Sequence, residues 1–266
     1  MSQTMEGKVA VVTGASRGIG KAIAVKLASK GATVVINYNG SRERAEEVKN
    51  EVESAGGKAV IIQCNVADFD ACKEFIETVI KEQGRIDILV NNAGITKDGL
   101  IMKMKEEDFD SVLNVNLKGT FNTIRHSARQ MLKQRSGKII NISSIWGDAG
   151  ASCEVLYSTT KGGINAFTKA LAKEVAASNI QVNAIAFGMI DTEMNAEFDE
   201  EDLAESMQDV YQQTGCPFVI IIDEWDCIFR EYKSDKEAQE QYLDFLRDFL
   251  KDKSYIHLAY MTGILP

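Results

Sequence analysis

Six short apolar runs, rich in β-branched residues, recur before residue 190 and are separated by charged, amphipathic stretches. The runs predict six strands, which start near Val9, Thr33, Ala59, Asp87, Lys138 and Gln181. The stretches between them, such as SRERAEEVKNEVESAG, place apolar residues three and four positions apart, as helices do. Because the strands are apolar on both faces, the alternation predicts a parallel sheet covered by helices on each side, the doubly wound α/β class.

The charge distribution predicts a junction near residue 200. The 266-residue chain carries a formal net charge of -9, and 16 acidic but only 6 basic residues lie between Asp199 and Pro266. This break in composition divides the chain into a domain at 1–203 and an acidic tail at 204–266. The negative charge argues against a nucleic-acid partner, because phosphate binding needs a basic face.

The chain lacks a basic-then-apolar leader and any apolar run near the roughly 18 residues that span a bilayer. We therefore expect a cytoplasmic protein with no membrane partner. The cysteines form no CxxC pair and no cluster with histidine, so we expect neither a metal site nor a disulfide framework but reduced thiols. They are Cys64, Cys72, Cys153, Cys216 and Cys227.

A glycine-rich segment, TGASRGIG, follows the first strand and leads into a helix that begins near Ile19. Gly14, Gly18 and Gly20 would let the backbone approach a pyrophosphate, which the helix N-terminus attracts. A tight strand-to-helix turn without a ligand is the alternative. A phosphate-loop NTPase is excluded, because its motif requires glycine at Ala15 and a hydroxyl at Ala22.

The end of the second strand indicates which dinucleotide would bind. An NAD-dependent dehydrogenase places an acid there to bind the ribose hydroxyls, whereas this chain has Asn37. Arg17 in the glycine loop and Arg42 nearby would attract a 2'-phosphate, so we expect NADPH. For Arg42, a solvated arginine at a helix start is an equally good interpretation.

Tyr157 and Lys161 lie four residues apart in a helical segment, so their side chains share one face. A cation beside a tyrosine stabilises its phenolate, whose reference pKa is about 10. Ser144, at the end of the fifth strand, would hold a substrate carbonyl oxygen, and Asn116 adds a fourth polar group. Taken singly, three of these residues have ordinary structural interpretations: Tyr157 as a core tyrosine, Ser144 as a helix cap and Asn116 as a buried amide.

The motifs TGASRGIG, NNAG, NVNLKG, ISS and YSTTK, in this order, resemble the short-chain dehydrogenase/reductase family over residues 8 to about 195. The resemblance is greatest to the 3-oxoacyl-acyl-carrier-protein reductases. It implies a catalytic tetrad of Asn116, Ser144, Tyr157 and Lys161. It also implies that NADPH is bound by Gly14, Ser16, Arg17, Gly18, Ile19, Gly20, Asn37, Asn65, Val66, Asn92, Ala93, Gly94, Tyr157, Lys161, Gly188, Ile190 and Thr192.

The implied function is NADPH-dependent reduction of a 3-oxoacyl group carried by an acyl carrier protein, although the chain departs from the family pattern in several places. Arg135 matches one carrier-binding position, while Ser178 replaces the other. Phe187 replaces a proline before the nicotinamide loop. Glu154 replaces a neutral glutamine. The segment GASCEV, which contains it, resembles reductases that act on an aminoketone, the 5-aminopentanone modification on elongation factor P. Two alternatives therefore stay open, such an aminoketone reductase and a dinucleotide-binding module without turnover.

The tail resembles a different protein. Its segments CPFVIIIDEWDCIF and AYMTG resemble the Walker B region of bacterial AAA-ATPase-like proteins, with Asp223 and Glu224 as the acid pair. No phosphate loop accompanies them, so we predict no ATP hydrolysis, and a buried strand ending in surface acids is the alternative. A fusion would explain the tail.

The family's last strand is missing, and this leaves the sixth strand as an edge. One hypothesis is that a strand from Phe218 or from Ile256 pairs there, with a helix from Tyr242 to Leu250 packed nearby. The other is a loosely attached tail. Since relatives form tetramers partly through the missing strand, the homo-oligomeric state is left open.

Overall fold

A computed structural model describes residues 4–188, 190, 207–208, 211–212, 215, 217–222, 226, 228–229 and 235–261. The chain divides into two compact units, Met1–Met194 and Asn195–Pro266.

The first unit contains a six-stranded parallel sheet, as the apolar runs predict. Its strands are β1 (Val9–Val12), β2 (Thr33–Tyr38), β3 (Lys58–Gln63), β4 (Ile88–Asn91), β5 (Gly137–Ser144) and β6 (Ile180–Phe187). Successive side chains point to opposite faces, so Val11 belongs to one hydrophobic cluster and Val12 to the other. The prediction of a doubly wound α/β fold is confirmed.

Helices cover both faces of this sheet. They are α1 (Gly18–Ser29), α2 (Arg42–Ser54), α3 (Phe69–Gln83), α4 (Glu106–Val112), α5 (Gly119–Gln134), α6 (Trp146–Ala149) and α7 (Val155–Val175). Phe75 of α3 packs in the cluster that contains Val11, while Ala24 of α1 and Val48 of α2 pack in the cluster that contains Val12. Each face of the sheet is therefore buried by different helices.

The strand order is β3-β2-β1-β4-β5-β6, so the order reverses between β1 and β4. Chains leaving the carboxyl ends of these two strands turn to opposite sides and open a crevice, where doubly wound proteins bind ligands. The glycine loop follows β1 and the NNAG segment begins at Asn91, the last residue of β4, so both predicted motifs lie at this reversal.

The second unit contains β7 (Phe218–Ile222), a helix here labelled α8 (Lys236–Leu250), and β8 (Ile256–Met261). β7 and β8 pair in parallel in a two-stranded sheet of their own, whereas the larger sheet ends at β6. Pairing of a tail strand with β6 stays a prediction. Within the second unit, the strand–helix–strand connection lets β7 and β8 pair in parallel with each other.

Candidate active site

A cavity of about 360 Å³ lies at the reversal of the strand order. Its wall is formed by segments that follow β1, β2, β3 and β4, together with part of α7. The predicted cofactor residues that line it are Gly14, Ser16, Arg17, Gly18, Ile19, Gly20, Asn37, Asn65, Val66, Asn92, Ala93, Gly94, Tyr157 and Lys161. The fold thus brings together residues that are far apart in the sequence.

The glycine loop is pressed against the end of β4. A Cβ atom on Gly14, whose φ is +60°, would lie 2.9 Å from the Ala93 Cα, and one on Gly20 would lie 2.5 Å from the Asn92 Nδ2. Asn92 Nδ2 donates hydrogen bonds to the carbonyl oxygens of Thr13 (2.9 Å) and Gly14 (3.1 Å). Glycine is required here because neighbouring protein atoms leave no room for a side chain.

The start of α1 is suited to an anion. No side chain caps this helix, and its first turn contains no acidic residue. The first amide N–H groups of a helix have no partner within the helix and carry partial positive charge, so they can bind a diphosphate. Arg17 precedes the helix and is exposed at the cavity wall. These residues fit the dinucleotide predicted from the motif.

Asn37 borders the cavity, but both polar ends of its side chain are bound to the backbone. Its Oδ1 accepts from the Gly14 amide at 3.2 Å, and its Nδ2 donates to the carbonyl oxygen of Cys64 at 3.1 Å. Longer contacts join Nδ2 to the carbonyl oxygens of Tyr38 and Ile62. With 1% of its surface exposed, the residue ties the glycine loop to β3, a role that these bonds support better than direct contact with a cofactor.

Asn116 lies in one turn of π-helix, Leu113–Lys118, between α4 and α5. Its side chain is fully buried and makes a two-way bridge with Ile95: Oδ1 accepts from the Ile95 amide at 2.8 Å, and Nδ2 donates to the Ile95 carbonyl at 2.9 Å. Nδ2 also donates to the Thr160 hydroxyl on α7 at 3.1 Å. The π-turn, a frequent feature of functional sites, lets this one amide connect the segment after β4 with the helix that carries Tyr157.

Ser144 and Tyr157 are neighbours at the end of β5. The Ser144 hydroxyl accepts from the Trp146 amide at 3.2 Å. Burial raises the pKa of the Tyr157 phenol; a hydrogen bond with Ser144 opposes this shift, while the negative charges of Glu154 and Asp98 add to it. The phenol therefore keeps its proton at neutral pH and is suited to act as an acid.

Lys161 is 4% exposed, and its Nζ donates to the Ile142 carbonyl at 2.7 Å. The Nζ lies 5.3 Å from the centre of the Tyr157 ring, within cation–π distance. Burial lowers the pKa of this amine to about 8. Lys161 thus lies beside Tyr157 as the spacing predicts. The pKa of the tyrosine is nevertheless raised rather than lowered, because burial of the phenol is the largest effect on it.

Three predicted cofactor residues remain. Gly188 and Ile190 follow β6, and they are not among the residues that line the cavity in the described part of the chain. Thr192 lies outside the described residues, as do Asp223 and Glu224 of the tail.

Two threonines that the sequence reasoning missed support the site. The Thr13 hydroxyl accepts from the amides of Asn92 (2.9 Å) and Ala93 (3.0 Å) and so joins β1 to the segment after β4. The Thr160 hydroxyl receives the Asn116 bond and itself donates to the Tyr157 carbonyl at 2.8 Å. Their positions within the motifs TGASRGIG and YSTTK are the signal that could have identified them.

The described residues contain neither a cluster of metal ligands nor a membrane-spanning helix. No group of three or more histidine, cysteine or acidic side chains is placed to hold a metal ion there. No helix in the same part of the chain combines the length and apolar character that crossing a bilayer requires.

Known proteins resemble this chain over the residues that build the site. The family model of the short chain dehydrogenases matches residues 8–203. The chain is 48% identical to the 3-oxoacyl-acyl-carrier-protein reductase FabG of Staphylococcus aureus over 200 residues, which cover 75% of this chain and 81% of the relative. It is 46% identical to FabG of Thermotoga maritima over 197 residues, or 74% of this chain and 80% of that one.

Solved structures of this family share the fold. A short-chain oxidoreductase from a metagenome, crystallised in complex with NADP, superposes with a TM-score of 0.67 and 38% identity, covering 70% of this chain and 84% of its own. A short chain dehydrogenase from Mycobacterium avium gives a TM-score of 0.67 with 40% identity over 71% of each chain.

The environment of Lys161 predicts an unusual titration. In the cofactor-free protein its amine should lose its proton with a midpoint near pH 8, below that of surface lysines, because the buried site disfavours the charge. Carbon-13 NMR of lysine labelled at Cε would show this, with Lys161→Met assigning the signal and Lys169→Met, exposed on the same helix, as the control. A midpoint equal to that of the surface lysines would contradict the burial argument.

Proposed function

We propose that this chain, a member of the short-chain dehydrogenase family, reduces the ketone of a 3-oxoacyl thioester on an acyl carrier protein, with NADPH as the cofactor. The observation that carries the proposal is that Tyr157 and Lys161 meet at one cavity, with Ser144 hydrogen-bonded to Tyr157, in a chain 48% identical to such reductases. Bound NADPH would supply the hydride that adds to the ketone carbon.

The side chains of the site would supply the proton that the ketone oxygen takes up and would stabilise the charge that its transfer leaves behind. Tyr157 keeps its phenolic proton at neutral pH and would transfer it to the ketone oxygen, while the Ser144 hydroxyl orients that oxygen. Lys161, buried beside the ring, would offset the negative charge left on Tyr157. Asn116, through Ile95 and Thr160, would hold the two walls of the site at a constant separation.

The cofactor would be held by the glycine loop and by the start of α1. Arg17 is the residue we expect at the 2'-phosphate, because it lies on the cavity wall at the loop. Arg42 is bound to Glu46 across one helical turn, with Nε 2.9 Å from the carboxylate, and its side chain is 72% exposed. This pairing supports the solvated interpretation of Arg42.

Replacing the proposed proton donor tests the reaction. Tyr157→Phe should lower kcat for reduction of acetoacetyl thioesters by about 10²- to 10⁴-fold, the usual range for losing a general acid. NADPH binding, measured by fluorescence titration, should change little. Turnover equal to that of the unmodified chain would refute the reductase proposal, whereas cofactor binding without turnover in both proteins would favour a binding module.

Replacing the loop arginine tests the cofactor preference. Arg17→Ala should lower kcat/KM for NADPH by roughly ten- to a hundredfold, as loss of charge-assisted hydrogen bonds to a phosphate does, and should leave the value for NADH nearly unchanged. Lys26→Ala, exposed further along α1, serves as the control. An equal loss with both cofactors would show that Arg17 does not read the 2'-phosphate.

Glu154 favours a second candidate function, reduction of an aminoketone. This residue is half-buried at the start of α7 and forms no side-chain cap. Burial and the nearby negative charge of Asp98 raise the pKa of its carboxyl, and both acids act on the Tyr157 phenol. A pair of carboxylates beside the proton donor would attract a substrate that carries an ammonium group.

A charge-neutral variant separates the two substrate classes. Glu154→Gln should lower kcat/KM for an aminoketone about fivefold, which corresponds to the loss of one partly exposed ion pair, and should leave that for acetoacetyl thioesters unchanged. Glu174→Gln, exposed near the end of the same helix, is the control. The same change for both substrates would remove the aminoketone candidate.

Several finer expectations remain predictions. Carrier docking would use Arg135, which ends α5 in a left-handed conformation and accepts a hydrogen bond from Asn179 through its carbonyl, while Ser178 offers no charge. The acidic tail at 204–266, its resemblance to an ATPase fragment, the cytoplasmic location and the homo-oligomeric state likewise remain predictions.

A further inference from the structure

Two cysteine thiols lie in contact beside the cavity, next to the end of β3. Cys64 follows β3 directly, and Cys72 lies in the first turn of α3. Their Sγ atoms are 3.9 Å apart, and 5% of Cys64 and none of Cys72 is exposed. Since a disulfide has a sulfur–sulfur distance of about 2.0 Å, the two atoms need to approach by roughly 2 Å to bond.

Cys64 is the more accessible of the two thiols. Both residues pack in the same hydrophobic cluster, but Cys64 also lines the cavity, beside Tyr38 of β2 and Asn65, whereas Cys72 does not. The hydrogen-bond contact with Cys72 lowers the pKa of Cys64, while burial and the charge of Asp68 oppose this effect. Small oxidants that enter the cavity would therefore meet Cys64 first.

We propose that Cys64 and Cys72 form a reversible disulfide when the cofactor-free chain meets a peroxide, and that this bond weakens cofactor binding. The Cys64 thiolate attacks one peroxide oxygen, the O–O bond breaks, and the hydroxide that leaves takes up a proton to become water. Cys72 then loses its proton and attacks the Cys64 sulfur, so that the S–O bond breaks and a second water leaves. Two thiols thus lose two electrons, and hydrogen peroxide is reduced to two molecules of water.

The bond would act on the cavity because both cysteines hold its wall. The Cys64 carbonyl accepts from Asn37 Nδ2, and Asn37 in turn holds the Gly14 amide of the glycine loop. The Cys72 thiol donates to the Val66 carbonyl at 3.4 Å. Drawing the end of β3 toward α3 would therefore strain the contacts that place Val66 and the glycine loop.

The effect on binding depends on the proposed function, because it assumes that NADPH occupies this cavity. A bound dinucleotide would cover Cys64 and keep peroxide away from it. The disulfide would then form in the empty chain only. Formation of the bond and its effect on binding can be measured separately, so failure of either is recognisable.

The test uses the full chain with all five cysteines. Reduced protein is treated with hydrogen peroxide, the remaining thiols are alkylated, and the chain is cut with trypsin. Because the sequence between Lys58 and Lys73 contains no other lysine or arginine, Cys64 and Cys72 fall on the single peptide 59–73. We expect this peptide to appear without alkyl groups and two hydrogen atoms lighter, and to recover both alkyl groups after reduction with dithiothreitol.

Matched samples serve as controls for the detection of the disulfide. Cys72→Ser should give no internal disulfide but a Cys64 sulfenic acid that dimedone traps. Cys153, which is exposed, reports that the oxidant was active. Saturating NADP⁺ should slow formation of the bond at least about tenfold, as a ligand that binds only the protected state does.

Binding is then compared between the reduced and the oxidised chain by fluorescence titration. We expect the Kd for NADPH to rise about tenfold on oxidation, the effect of losing roughly one hydrogen bond, and to recover on reduction. Peptide 59–73 that stays fully alkylated while Cys153 is oxidised would overturn the proposal, and so would a disulfide that leaves the Kd unchanged. A reduced chain that binds no dinucleotide would instead refute the proposed function.

Discussion

The close contact between the glycine loop and the end of β4 is the constraint on which the rest of this site depends. Gly14 and Gly20 have no room for a side chain because Ala93 and Asn92 lie against them. The Asn92 amide and the Thr13 hydroxyl hold the two segments together with short hydrogen bonds. This contact closes one wall of the crevice between β1 and β4, and it aims the start of α1 into the cavity.

A second set of buried polar bonds transmits this geometry to the residues that would do the chemistry. Asn116 joins Ile95, just beyond β4, to Thr160 on α7, and Thr160 is bonded to the backbone of Tyr157. Lys161 is fixed by the Ile142 carbonyl of β5. Buried groups held in this way keep their positions because breaking one bond leaves a desolvated polar atom. The same burial raises the pKa of Tyr157 and lowers that of Lys161 to about 8.

Much of this arrangement could be predicted from the sequence. Runs such as VAVV are apolar on every residue, so they had to be buried on both faces, and the four-residue spacing of Tyr157 and Lys161 needed only a helix. The π-turn at Asn116 and the backbone role of Asn37 could not be predicted, because both depend on contacts with residues far away in the sequence. The pairing of Cys64 with Cys72 depends on where α3 packs.

NADPH bound in this cavity would deliver a hydride to a ketone while Tyr157 supplies the proton. Transfer of deuterium from NADPH deuterated at both C4 positions tests it most directly, since the result does not depend on which face of the nicotinamide reacts. With a 3-oxoacyl thioester or an aminoketone as substrate, we predict one deuterium on the carbinol carbon of the product, detected by mass spectrometry. Recovery of both ketones unreduced, or of an alcohol without deuterium, would contradict the account.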